Sequence, residues 1–234
     1  MGIKLLMLPK INHSWELSEG EALAIQDKLT SKVVKYDRFG DIQLVAGVDV
    51  AYAKNSDKLI AAIVVLNAKT LEVVEKVTAE DKVQFPYVPG LFSFRELPPL
   101  IKAFAKLKNS PDLIVCDGQG YAHPRRFGLA CHLGVIFDVP TIGCGKTRLL
   151  GEFDGVGLER GDVAPLVDNN EVIGNVLRTQ TGVNPIYVSI GHRMSLSAAT
   201  NWVLKLSPKY RLPETTRQAD HEVREKLKLE ESLF

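Results

Sequence analysis

No stretch of this 234-residue chain reaches the ~18 consecutive apolar residues that a membrane-spanning helix needs. The opening segment from Met1 to Pro9 carries too short an apolar run for a secretory signal, and Leu6 stands where a myristoylation signal needs Ser or Thr. Only three cysteines occur, Cys116, Cys131 and Cys144, an odd number without metal-ligand spacing. Apolar surroundings make Cys116 and Cys131 buried, reduced thiols, and the expected setting is a reducing cytoplasm. Charge of one sign is lacking too: 29 Lys and Arg face 28 Asp and Glu, a net charge of +1. Nothing global therefore demands a polyanionic partner, and any nucleic-acid affinity has to come from a local patch. Internal repeats, low-complexity tracts and long linkers are also missing, so the chain is expected to fold as one domain over residues 1–234. At 45% hydrophobic and 24% charged it has ample material for one core.

What is present is a pair of aspartates at the ends of apolar runs. Leu113 to Cys116 reads as a buried strand ending at Asp117, followed at once by Gly118, Gln119 and Gly120. Upstream, Leu44 to Val48 runs into Asp49. One such aspartate is most simply a turn or helix cap. Two, each beside glycine, point to a site for a hard cation such as Mg2+, which takes oxygen ligands. Glu96 is a third candidate, but Ser93-Phe94-Arg95-Glu96 also has the spacing of a capping box, and spacing alone leaves both readings open.

Ser18 to Glu21 is a clearer capping box and predicts a first helix to about Val34. Residues 43–53, 59–67 and 71–80 read as a three-stranded antiparallel meander turning at Asn55-Ser56-Asp57 and Asn67-Ala68-Lys69. A helix over 93–108, the strand ending at Asp117, a helix over 126–137 and a strand near 140–143 follow, which implies parallel pairing. A hairpin around Asp168-Asn169-Asn170, a strand over 186–190 and helices over 197–206 and 215–227 complete the chain. The fold class is α/β: a mixed sheet, antiparallel meander plus parallel strands, with helices on both faces, in the manner of a ribonuclease H-like core. Asp49 falls on its first strand and Asp117 on its fourth, which are neighbours in such a sheet.

Five blocks, in order, resemble the endonuclease V family of deoxyinosine-directed nucleases. They are Gly47-Val48-Asp49-Val50-Ala51-Tyr52; Pro86-Tyr87-Val88-Pro89-Gly90 with Phe94-Arg95-Glu96; Asp117-Gly118-Gln119-Gly120-Tyr121-Ala122-His123-Pro124-Arg125; Gly143-Cys144-Gly145-Lys146; and Arg211 through His221. The resemblance covers about residues 15–227. It implies that Asp49, Glu96 and Asp117 hold the catalytic divalent ion, Mg2+ with Mn2+ able to substitute, and that His221 stands beside them. It further implies hydrolysis of the second phosphodiester 3' to the lesion, leaving a 3' hydroxyl and a 5' phosphate. Two prolines stiffen the loop Pro86-Tyr87-Val88-Pro89, which becomes a candidate wedge whose ring fills the gap left by an extruded base. Gly90, Gly118, Gly120 and Gly128 are candidate walls of a base pocket, because a backbone without side chains can approach a base edge. Lys146 is the leading phosphate contact and a catalytic candidate, with His123, Arg125 and Arg148 in support. Gly145-Lys146-Thr147 imitates the end of a P-loop, but Pro140 stands where that motif needs glycine. The expected partner is deoxyinosine-containing DNA, single-stranded DNA included, bound by a monomer with no membrane involved. Inosine-containing RNA as substrate, or a binding module without catalysis, are the alternatives.

Overall fold

In the computed structural model, which describes residues 7–54 and 56–231, eight strands form one sheet in the order β3-β2-β1-β4-β5-β8-β7-β6. Strands β1 (Leu44–Tyr52), β2 (Lys58–Asn67) and β3 (Val73–Lys82) make the expected antiparallel meander. Strand β4 (Leu113–Asp117) joins β1 in parallel, with Val48 opposite Cys116, and β5 (Thr141–Gly145) joins β4 in parallel. Strands β6 (Val163–Asp168), β7 (Glu171–Leu177) and β8 (Ile186–His192) extend the far edge antiparallel. This is the ribonuclease H-like arrangement that the pattern implied.

The inner strands are apolar on both faces because both faces are covered. Ala46, Val48, Ile114 and Cys116 point to one side, where α1 (Glu19–Thr30), α2 (Ser93–Phe104) and α3 (Leu129–Phe137) pack around Leu29, Phe104 and Ile136. Val45, Leu113, Val115, Ile142 and Cys144 point to the other, under α4 (Leu196–Leu206) and α5 (Glu214–Glu231). All three cysteines are buried and unpaired.

Several boundaries differ from expectation for identifiable reasons. Helix α1 has its capping box, with Ser18 and Glu21 bonded reciprocally, but stops at Thr30. Helix α2 ends at Phe104 because the Glu75 carboxylate takes the amides of Lys108 and Asn109 and draws the chain toward β3. Helix α3 begins at Leu129, since Arg126 adopts φ 55° and its guanidinium is held by Glu171 and Asp168. The capping-box reading of Ser93 and Glu96 is overturned: Phe92 is the residue before the helix, and neither side chain caps it. Of the two meander turns, the one at Asn67 closes on its own carboxamide, which accepts from Lys69 and Thr70. The other includes Asn55, which lies outside the described residues, as does most of the opening segment, Met1 to Leu6.

Candidate metal centre and adjoining pocket

Parity along the strands decides where the carboxylates go. Asp49 shares its face with Val45 and Gly47, and Asp117 shares its face with Leu113 and Val115, so both point to the side covered by α5. Gly47 is required there: a Cβ at that position would lie 2.0 Å from the Thr215 carbonyl, so only glycine lets the first turn of α5 press onto β1. That approach delivers Asp220, one and a half turns on, to the two strand aspartates. Asp49, Asp117 and Asp220 each offer a carboxylate oxygen, and the three oxygens lie within 4.8 Å of one another.

Three anionic groups this close, partly shielded from water, are not at ease. Burial, reinforced by the charge of Asp117, pushes the Asp49 carboxyl up to about 7, against which the Lys146 ammonium pulls it down. Lys146 Nζ contacts Asp117 Oδ2 directly and lies 3.7 Å from Asp220 Oδ1. Burial alone would lower the Lys146 ammonium, but these carboxylates outweigh it and raise it. Arg224 adds a contact to Asp220 at 2.9 Å. Surplus negative charge, hard oxygen donors and a lysine standing in as counter-cation form a donor set that fits a divalent ion.

Glu96 approaches from α2, on the opposite face, and is only 5% exposed. The Tyr52 hydroxyl donates to its Oε1 at 3.3 Å, and burial together with the charge of Asp49 raises its carboxyl well above the usual range. It feels the charges of Asp49 and Asp117 without joining the cluster of three aspartates. His221, by contrast, is exposed on α5 and outside the group, next in sequence to the Asp220 that is inside it. Asp220 was missed because it sits among Arg217, His221 and Arg224 on a helix of low hydropathy, where a carboxylate reads as solvated surface. The available signal was Thr215, Thr216 and Ala219, small or short residues that are all buried and so mark the face turned to the sheet.

Beside the carboxylates lies a pocket of about 440 Å3. Tyr87, Val88, Pro89 and Gly90 contribute to it from the loop before α2, Gly118 and Gly128 from the loops after β4 and before α3, and Asp117, Lys146 and Arg148 from the metal side. Tyr87 is 71% exposed, unusual for an aromatic, and Gly90 holds φ 83°, a conformation that favours glycine. His123 also lines the pocket; burial lowers its imidazole to about 4, so it is a neutral ring, bonded to the Gly90 backbone and accepting the Arg125 amide at 3.2 Å.

One expectation is corrected by this geometry. Gly120 is not a pocket wall: it is buried, its amide donates to Ser189 Oγ at 2.9 Å, and a Cβ there would meet the Ile190 carbonyl at 2.1 Å, so its smallness serves sheet packing. Arg125, expected as a phosphate contact, has its guanidinium paired with Asp27 of α1, outside the pocket lining.

Comparison with known proteins agrees with the geometry. The endonuclease V family model matches residues 27–221. Endonuclease V of Roseiflexus castenholzii is 48% identical over 214 residues, 92% of this chain and 96% of that one, and the Rippkaea orientalis protein is 52% identical over 200 residues, covering 86% and 87%. The crystal structure of endonuclease V from Streptomyces avermitilis superposes with a TM-score of 0.89 at 49% identity, covering 93% of this chain and 96% of the other. Endonuclease V of Ciona intestinalis, crystallised with a 24mer DNA containing an inosine followed by a ribo-adenosine, superposes at 0.80 with 31% identity, over 89% of this chain and 97% of its own. With the family model spanning both strand aspartates, the pocket loop and α5 through His221, the chain belongs to the endonuclease V family.

Proposed function

We propose that this chain is a divalent-metal-dependent endonuclease that takes an inosine base from DNA into the 440 Å3 pocket and hydrolyses the second phosphodiester on its 3' side. The observation that carries the reading is the contiguity of pocket and carboxylates: Asp117 and Lys146 belong to both. Asp49, Asp117 and Asp220 would hold Mg2+ or Mn2+, with Glu96 as the neighbouring carboxylate. When bound, the ion would lower the pKa of a coordinated water and stabilise charge on the phosphoryl oxygens.

The chain's own groups supply the rest. Lys146, freed from Asp117 once the aspartates gain a cation, can turn to a substrate phosphate. Tyr87 fills the space left in the base stack, its loop held stiff by Pro86 and Pro89. Gly90, Gly118 and Gly128 bring bare backbone to the base edge, and a tight wall there excludes the exocyclic amine that hypoxanthine lacks. His123, neutral, offers hydrogen bonding without charge, and Arg148 a cation at the rim. A cleft of about 840 Å3 shares Arg148 and Leu149 with the pocket and gives a strand room to continue. His221, exposed beside Asp220, is free to meet the substrate from the solvent side. The chain would act as one domain and as a monomer, in a reducing cytoplasm that suits three free thiols. Among the described residues no helix is long and apolar enough to cross a membrane.

Inosine in RNA is the second substrate to test, since the Ciona relative was crystallised on a strand with a ribonucleotide next to the inosine. The test uses matched DNA and RNA oligonucleotides with one inosine or one adenosine, with Mg2+, and maps the cut. Cleavage at the second bond 3' to inosine is expected, DNA preferred. Cleavage that ignores inosine would overturn the reading, and cleavage of RNA alone would reassign the substrate.

A further inference from the structure

Helix α2 opens on a serine whose hydroxyl does not serve the helix. Ser93 Oγ lies 2.9 Å from His132 Nδ1, His132 Nε2 lies 2.9 Å from His13 Nε2, and His13 Nδ1 lies 2.6 Å from the Ser14 carbonyl. That carbonyl can only accept, so His13 Nδ1 carries a proton, and neutral His13 is left with a bare Nε2. His132 Nε2 must then donate to it, which leaves His132 Nδ1 bare and makes Ser93 the donor at the other end. Burial lowers both imidazoles, His132 far below its ordinary value, so two neutral rings are the resident forms. Every proton in the chain of bonds therefore has one direction, from Ser93 to His132 to His13 to Ser14.

The relay joins three pieces of chain that matter to the pocket. Ser93 lines the pocket and sits one turn before Glu96 on α2. His132 is one turn past Gly128 on α3, its amide donating to the Gly128 carbonyl at 3.0 Å, and Phe127, Gly128 and Leu129 also line the pocket. The His132 ring is enclosed by Phe94 at 4.9 Å, Phe127 at 5.2 Å and Trp15 at 5.7 Å, with His13 stacked at 5.1 Å. The approach segment from His13 to Trp15, which precedes α1, thus supplies the last acceptor of a network whose inner members, Ser93 and His132, are buried, and whose outer end reaches the surface at Ser14. Without that acceptor, His132 is left with a buried Nε2 that has no partner in either tautomer, and the tie between the first turns of α2 and α3 and the segment before α1 is lost.

We propose that His13 and His132 are positioning residues of the base pocket, fixing the first turns of α2 and α3 relative to each other through Ser93, and that the segment around His13 is thereby part of inosine recognition. This rests on the endonuclease reading above and adds to it a requirement for residues that touch neither metal nor base. The experiment measures affinity in Ca2+ for matched duplexes with inosine or adenosine, Mn2+ affinity, and thermal midpoint, for wild type, His13→Leu and His13→Gln. Leucine keeps apolar packing and removes the acceptor; glutamine returns a carbonyl to the same region.

His13→Leu is expected to lose inosine preference by on the order of tenfold while Mn2+ affinity stays at the wild-type value, and His13→Gln to recover most of the preference. Ser93→Ala, which cuts the other end, should show the same loss, and it decides the matter if His13→Leu does not fold. Wild-type preference in these variants, equal loss in His13→Leu and His13→Gln, or Mn2+ affinity that falls in step would overturn the proposal. Wild-type protein with no inosine preference would sink the pocket reading itself and this inference with it.

Discussion

Replacing Asp49 with asparagine should stabilise the metal-free protein, and by an amount that depends on pH. The Asp49 carboxyl moves from 3.8 in an unfolded chain to about 7 in the fold, mainly through burial and then through the charge of Asp117. A folded-state value above the unfolded one means the fold prefers the protonated acid. The associated stability is fully present below about pH 3.8 and is lost as pH rises through 7. At 1.36 kcal/mol per pKa unit, the full penalty at alkaline pH is about 4 kcal/mol, and some 2–3 kcal/mol of it accrues between about pH 5 and pH 8. Asparagine keeps the shape and the Oδ1 that accepts the Val50 amide, but has no proton to lose. The gain of Asp49→Asn over wild type should thus grow by some 2–3 kcal/mol across that interval, roughly 5–10 °C in midpoint for a chain of this size. Calorimetry in chelator at both pH values measures it. Adding Mn2+ should then raise the wild-type midpoint and leave the variant nearly unmoved. A gain that is the same at both pH values would refute the claim that burial and the neighbouring Asp117 hold the Asp49 carboxyl up.

Three further changes separate the parts of the site. Asp220→Asn should weaken Mn2+ binding and lower the cleavage rate on the order of a hundredfold or more; single-turnover kinetics with a Mn2+ titration checks this, and wild-type values would return Asp220 to the solvated face of α5. Lys146→Met should slow cleavage and reduce the salt dependence of binding by about one phosphate contact; an unchanged slope of log affinity against log salt would count against a phosphate role. Tyr87→Ala should weaken binding to inosine-containing duplex about tenfold, from the loss of roughly 1–3 kcal/mol of stacking, with single strand affected less; equal affinities for wild type and variant in Ca2+ would reduce the Pro86 to Pro89 loop to a turn.

The sheet was legible because its strands are apolar runs ended by turn residues, and the expected adjacency of the first and fourth strands already made Asp49 and Asp117 neighbours. Glu96 could not be decided from spacing, since Ser-x-x-Glu is also a cap; the family resemblance put it at the site, and the packing, with Ser93 spent on His132 and Glu96 buried against Tyr52, removes the cap. Long-range relations hid the rest. Gly47 admits α5 by leaving room for the Thr215 carbonyl, and Arg126 delays α3 by bonding Glu171 and Asp168 some 40 residues away. Gly120 and Gly128 look alike in sequence, yet one packs against β8 and the other lines the pocket.

The central claim is that Asp49, Asp117 and Asp220 together form a divalent-metal site. Crystals soaked in Mn2+ and measured at an energy where manganese scatters anomalously would test it most directly. The account predicts an anomalous peak bounded by the carboxylates of these three residues, beside Lys146, and its loss in Asp220→Asn. A saturating soak with no peak there, or a peak elsewhere in crystals of active protein, would contradict it.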